Sequence, residues 1–245
     1  MKRAGRTLLA LVLGMHAALG SASRAQSAAT PYDHVHLGVP EPQQAYAWYV
    51  ERLRGQQAEF PERVAFEPWR LQRPLPVQLL FSRIDGAGSS EGSAIESIGF
   101  SLQGQQGTIR DPWGVKIDLV DDPGLRGFHH VRLRVADVER AMKWYERFFG
   151  GRRVTLQGDR ALRYDNMYLI VSQGAAAPSR GRAIDHVSWG PTDIHGMVAA
   201  LKAEGQKIVA DITGPNRFGH HIAYLEDPGG VYIELVQHNE LLAKP

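Results

Sequence analysis

The chain repeats itself. Tyr32-Asp33-His34-Val35-His36-Leu37-Gly38-Val39 lines up with Phe128-His129-His130-Val131-Arg132-Leu133-Arg134-Val135 at an offset of 96 residues. A chain built by repetition folds as like units that bury their apolar faces on one another, so this feature constrains the architecture more than any single motif. The same offset pairs Ala45 with Ala141, Trp48-Tyr49 with Trp144-Tyr145, and Gly55 with Gly151. A second repeat sets Asp111-Pro112-Trp113-Gly114-Val115-Lys116-Ile117-Asp118-Leu119-Val120 against Asp227-Pro228-Gly229-Gly230-Val231-Tyr232-Ile233-Glu234-Leu235-Val236, 116 residues on. A third sets Ala94-Ile95-Glu96-Ser97-Ile98 against Ala183-Ile184-Asp185-His186-Val187, 89 residues on, so the first half is 27 residues shorter between these landmarks. The result is four units, near residues 32–83, 94–120, 128–173 and 183–238, with the second truncated. Asp121-Asp122-Pro123-Gly124 marks the junction, giving expected domains at 32–122 and 126–240. Ala87 to Ser93 reads as a turn region within the first of them.

Each full unit carries one pattern. An alternating strand comes first, then a helix, then three strands, a β-α-β-β-β unit of the α+β class. In the third unit Asp137 is the expected helix cap, Val138, Ala141, Met142, Tyr145 and Phe149 recur at helical spacing, and Gly150-Gly151 stops the element. In the fourth, Asp193 is the cap before Met197, Val198 and Leu201, and Gly205 is the stop. Strands are expected near 153–157, 161–164 and 167–172, and near 207–211, 221–225 and 231–236.

Side chains alternate across a strand, so parity assigns faces. Val131, Leu133 and Val135 share the face that covers the helix, which leaves His130, Arg132 and Arg134 on the opposite, open face. His129 falls with the valines. By the same rule His186 and Ser188, Tyr232 and Glu234, His34 and His36, and Lys116 and Asp118 look outward. The open faces therefore gather two histidines at equivalent repeat positions and a carboxylate on a closing strand.

The N-terminus reads as an export signal. Lys2, Arg3 and Arg6 precede an apolar run from Thr7 to Leu19, and Ser23-Arg24-Ala25 offers small residues at the positions a signal peptidase inspects. Cleavage after Ala25 is predicted, with a periplasmic or secreted location. The apolar run is short of the roughly 20 residues that span a bilayer. The chain has no cysteine, so disulfide staples and Cys-ligated zinc are excluded, and any metal must sit on His, Asp or Glu. A net charge of +2 with scattered arginines implies no nucleic-acid partner.

The Asp-His-Val strand start, the Trp-Tyr helix and the Asp-Pro-Gly-Gly-Val-Tyr-Ile-Glu-Leu ending resemble the vicinal oxygen chelate superfamily of glyoxalases, extradiol dioxygenases and bleomycin-sequestering proteins. The resemblance covers nearly all of the chain beyond the signal segment. It implies two cup-shaped half-barrel domains built from tandem β-α-β-β-β units, with the ligand site inside a cup. Metal-dependent members place a ligand on the first strand of each paired unit and a Glu near the end of the last strand. In the second half the matching positions are His130, His186 and Glu234, implying one divalent ion, Fe, Mn or Zn, and a small-molecule substrate that chelates it. In the first half they are His34, Ser97 and Asp118, a degenerate set. Tyr224 matches a tyrosine that contacts substrate near the metal in extradiol dioxygenases. His220 shares its parity as a general-base candidate, and His221 faces the helix. The histidine found upstream of that tyrosine in those enzymes falls near Pro215 here, a departure that weighs against ring cleavage. Arg132 and Arg134 are expected to flank the metal and attract an anionic substrate.

The implied function is a metal-dependent enzyme, dioxygenase-like or glyoxalase/isomerase-like. A glutathione-dependent reaction sits poorly with export. The alternative is a metal-free protein that sequesters a small molecule, for which Trp69, Trp113, Trp189 and Tyr232 supply aromatic surface. One chain can complete its own cup, so a dimer is not required.

Overall fold

The structure, a computed structural model, describes residues 29–57, 63–65 and 77–238. The predicted signal segment and Trp69 lie outside the described residues. The first unit comprises β1 (Tyr32–Val39), α1 (Pro42–Leu53), β2 (Gln56–Gln57), β3 (Arg63–Ala65) and β4 (Gln78–Arg83). The second keeps only β5 (Ile95–Ser101), β6 (Gly107–Arg110) and β7 (Lys116–Val120); its shortening has removed a helix and one strand. The third has β8 (Gly127–Val135), α2 (Val138–Phe149), β9 (Arg152–Leu156), β10 (Asp159–Arg163) and β11 (Tyr168–Gln173). The fourth has β12 (Ile184–Trp189), α3 (Ile194–Ala203), β13 (Lys207–Thr213), β14 (His221–Glu226) and β15 (Tyr232–Gln237). The helix starts are those the sequence marks. Asp137 accepts from the Arg140 N–H at 3.0 Å and Asp193 from the Gly196 N–H at 2.9 Å, each satisfying an otherwise unpaired donor of the first turn.

The strands form two mixed sheets, ordered β13-β14-β15-β12-β1-β4-β3-β2 and β6-β7-β5-β8-β11-β10-β9. Each half-barrel therefore joins units that are not the expected pairs. The first cup is units one and four, joined where β1 meets β12 antiparallel; the second is units two and three, joined at β5 and β8. The division expected between 122 and 126 runs between two strands of one sheet. The reason is the short link from Val120 to Gly127, which turns the chain straight back to lay β8 beside β5. β1 and β12 are then the edges left to pair.

The two units of each sequence half are still tied to one another, by side chains rather than by strands. Tyr49 on α1 donates to Asp111 of the second unit at 2.9 Å, and Tyr145 on α2 donates to Asp227 of the fourth at 2.8 Å. Each aspartate also accepts two backbone N–H groups of its own turn, Asp227 from Gly229 and Val231 and Asp111 from Trp113 and Val115. Burial raises the pKa of both carboxyls against these bonds. The repeated Trp-Tyr and Asp-Pro landmarks are thus two ends of one contact. The core between the sheets is aromatic. Trp189 lies 4.4 Å from Phe149 and 5.1 Å from Tyr32, ring centre to ring centre, and Tyr32 stacks on Phe128. Trp189 is fully buried there, so it does not line a cup.

Candidate metal centre

The four inner strands share one irregularity. Where β1 meets β12 and where β5 meets β8, the register slips by a residue twice on each seam. The extra residues fall at Asp33-His34, Glu96-Ser97, His129-His130 and Asp185-His186, the same repeat position in all four units. A bulge of this kind re-aims a side chain that plain alternation would send to the other face. It corrects the parity reading of His129, whose ring lies 2.9 Å from His130, nitrogen to nitrogen, inside the second cup. It also sends Tyr32 and Phe128 into the aromatic core.

In the first cup the bulges bring each histidine and its preceding aspartate together. His34 donates from Nδ1 to Asp33 at 2.6 Å, and His186 donates from Nδ1 to Asp185 at 2.7 Å. The opposite nitrogens converge on one oxygen: Glu234 Oε2 lies 3.2 Å from His34 Nε2 and 2.9 Å from His186 Nε2. His36 adds a third ring, its Nδ1 2.9 Å from His186 Nε2. One ligand atom from each of His34, His36, His186 and Glu234 falls within 4.8 Å of the others. Glu234, His34 and His186 are all buried. Burial opposes charge on His34, but its bonds to Asp33 and Glu234 prevail and push its pKa up to about 9. Burial likewise opposes the Glu234 charge, and the two histidines hold it well below the usual carboxylate range.

This donor set fits a divalent metal. An aspartate behind Nδ1 fixes the tautomer and orientation of each ring and leaves Nε2 to bind, the support metal-ligating histidines have. Imidazole nitrogens and one carboxylate oxygen suit Fe, Mn or Zn. Around them stand two tyrosines. Tyr224 is the register partner of Glu234 and stacks on Tyr232 with ring centres 5.2 Å apart, and both rings stand edge-on to His186. Burial and the Glu234 charge raise the pKa of the Tyr224 phenol. Arg180 lies 4.8 Å over the Tyr232 ring, a cation at this cup that the sequence reading did not single out.

Of the three expected ligands, two lie in this cluster and one does not. The structure brings His186 and Glu234 together, and replaces His130 with His34. His130 lies in the second cup, where its Nε2 is 3.3 Å from Asp118, and Ser97 donates to the same aspartate oxygen at 2.6 Å. Arg132 and Arg134 are there too, away from His186 and Glu234. Arg132 pairs with Asp159 at 2.8 Å and Ser172 at 2.9 Å; Arg134 pairs with Glu96. His220 rests against His238, with ring centres 4.6 Å apart, behind Asp33 rather than in the cluster. His221 faces His195 of α3, the helix side. Among the described members of the aromatic supply, Trp113 packs on Trp48 and only Tyr232 faces the first cup. A sequence signal for the correct pairing did exist. Asp-His-Val occurs twice, at Asp33 and at Asp185, and those are the two units that share the cluster.

Residues 127–235 match the model of the Glyoxalase/Bleomycin resistance protein/Dioxygenase superfamily. A probable lactoylglutathione lyase of Vibrio cholerae is 30% identical over 125 residues, which cover 45% of this chain and 90% of that one. The chain belongs to the glyoxalase/bleomycin resistance/dioxygenase superfamily. A second relative, a probable lactoylglutathione lyase of Vibrio parahaemolyticus, is 29% identical over 128 residues, covering 46% of this chain and 92% of that one. Glyoxalase I from Zea mays shares the superfamily fold across the four units, with a TM-score of 0.66 at 19% identity over 87% of this chain and 94% of that one.

Proposed function

We propose that this chain is a metal-dependent enzyme acting on a small molecule that presents adjacent oxygens to the metal. The observation that carries the reading is the convergence of His34 and His186 on Glu234, each imidazole held from behind by its own aspartate. A divalent Fe, Mn or Zn ion held there supplies Lewis-acid polarisation of the substrate oxygens. The protein supplies the rest. Tyr224 and Tyr232 present flat walls beside His186, and the Tyr224 hydroxyl, next to Glu234, can donate a hydrogen bond or a proton to a developing oxyanion. Arg180 offers a cation at the Tyr232 side for an anionic arm of the substrate.

Two chemistries compete for this centre. The relatives' names favour formation or breakdown of lactoylglutathione. The histidine-rich set with a single carboxylate favours oxygen chemistry at Fe(II), and export of the chain, which we infer from residues 1–25, moves it away from cytosolic glutathione. A second reading, a metal-free sequestering protein, draws on the second cup, whose cavity of about 500 Å³ is ligand-sized and lined by Thr108, Asp118, His130 and Arg132.

The test is metal content of the protein from Gln26 onward, by elemental mass spectrometry, beside His186→Ala and Glu234→Ala. About one Fe, Mn or Zn per chain, lost in both variants, is expected. The loaded protein is then assayed for lactoylglutathione turnover and for oxygen uptake with a catechol. No stoichiometric metal after reconstitution overturns the enzyme reading and leaves the sequestering one.

A further inference from the structure

The repeat defines four equivalent lattice points for each kind of residue in the cups. The parallel seams of the four units align His36 with Leu80, Gly99 with Asp118, Arg132 with Ile170, and Ser188 with Glu234. Leu80 therefore occupies in the first unit the place Glu234 occupies in the fourth. The first cup has only one carboxylate at this level, because its other carboxylate position is a leucine. The residue two places after the histidine compensates. It is His36 in the first unit, but serine, glycine or arginine in the others.

We propose that His36 is a fourth metal ligand, binding through Nδ1 and taking over the place that Leu80 leaves without a donor. The inference rests on the metal-centre reading above. Its support is which atom His36 addresses. A residue that merely orients a metal-ligating histidine touches the nitrogen far from the metal, as Asp185 does at His186 Nδ1. His36 instead approaches Nε2, the metal-facing nitrogen, at 2.9 Å. Donors bound to one ion at roughly 2.1 Å lie about 3.0 to 3.4 Å apart when adjacent. Glu234 to His186 at 2.9 Å, Glu234 to His34 at 3.2 Å and His36 to His186 at 2.9 Å match that spacing. The far nitrogen of His36 has its own support, Ser82 Oγ at 2.9 Å on β4.

The substitution changes what the centre prefers. Three neutral imidazoles and one carboxylate carry a single negative charge, so a divalent ion leaves the centre net positive. Such a centre favours borderline ions over Mg or Ca and favours a substrate that binds as an oxygen anion, an enolate, catecholate or carboxylate.

Cobalt(II) titration of the metal-stripped protein tests this. The natural chain contains no cysteine, so in His36→Cys any thiolate-to-cobalt charge-transfer band in the near ultraviolet comes from position 36. The expected result is one cobalt per natural chain, the thiolate band in His36→Cys, and in His36→Gln an affinity lowered by about 10-fold or more with an altered visible spectrum. Circular dichroism confirms that the variants are folded, and His36→Gln, close in shape, stands in should the cysteine variant fail to fold. Cobalt bound to His36→Cys without the band, or bound to His36→Gln with unchanged affinity and spectrum, overturns the proposal and leaves the metal centre standing. No cobalt bound by the natural chain overturns the metal centre, and this proposal with it.

Discussion

The two cups are built from the same parts and hold opposite arrangements of charge. In the first, each bulge puts an aspartate behind a histidine, and three imidazoles face one carboxylate. In the second, Ser97 stands where His186 stands, and His129 backs His130 where Asp33 backs His34. Arg132 occupies the place of His36, its Nε 3.7 Å from Asp118. The second cup thus answers its carboxylate with a covalently attached cation, whereas the first cup has donors that an ion can complete. Burial lowers the His130 pKa against the pull of Asp118, and pushes His129 down to about 4. Asp118 itself is held well below the usual carboxylate range, its bonds to His130 and Ser97 overcoming burial. The backbone is common to both; three substitutions at repeat-equivalent positions separate a metal-ready cup from a self-neutralised one.

The contrast can be broken most decisively at the donors. Glu234→Ala is expected to remove stoichiometric metal altogether, while Asp118→Asn leaves metal content untouched; loss in both, by elemental analysis, would erase the distinction between the cups. Next comes the converse. Ser97→His, His129→Asp and Arg132→His together recreate the first cup's donors beside His130 and Asp118, and the expected metal content rises from about one to about two per chain. A smaller effect is expected one layer back. Asp33→Asn or Asp185→Asn should weaken metal affinity about 10- to 100-fold without abolishing it, read by competition with a chelator.

Two further tests read stability in the second cup. A Cβ on Gly99 would meet the His130 ring at 2.1 Å. Gly99→Ala should therefore cost about 1–3 kcal/mol in denaturant unfolding, although the equivalent positions in the first cup, His36 and Ser188, carry side chains. The smallest effect concerns pH. His129 titrates near 4 folded and near 6.5 unfolded, so protons bind the unfolded state first and the native state loses stability as pH falls from about 6.5 to 4. His129→Gln should remove that loss, a relative gain of about 1 kcal/mol at pH 5.5. An unchanged difference between pH 7 and 5.5 would show that His129 does not titrate as its burial requires.

Much of the fold was legible because its signals are local. Alternation along a strand, an Asp cap before a helical stripe and a glycine after it depend on residues a few places apart. The unit pattern, the helix caps and the outward faces of His186 and Glu234 follow from these. The missing strand and helix of the second unit were visible as a shorter spacing. His129 was misread because alternation assumes an unbroken ladder, and the extra residue that breaks it on β8 shows only against the partner strand. The Tyr–Asp contacts were invisible for a similar reason: their two ends lie 62 and 82 residues apart.

The residue types of the centre, His and Glu with no cysteine, were set by the sequence, as were the strands that carry them. Which histidines meet Glu234 was decided only in the tertiary structure. Strand pairing is non-local, and every unit offers an edge of the same kind. The short turn after Val120 commits β8 to β5, and that choice leaves β1, with His34 and His36, as the partner of β12. Chemistry at this site is a consequence of which edge remained open.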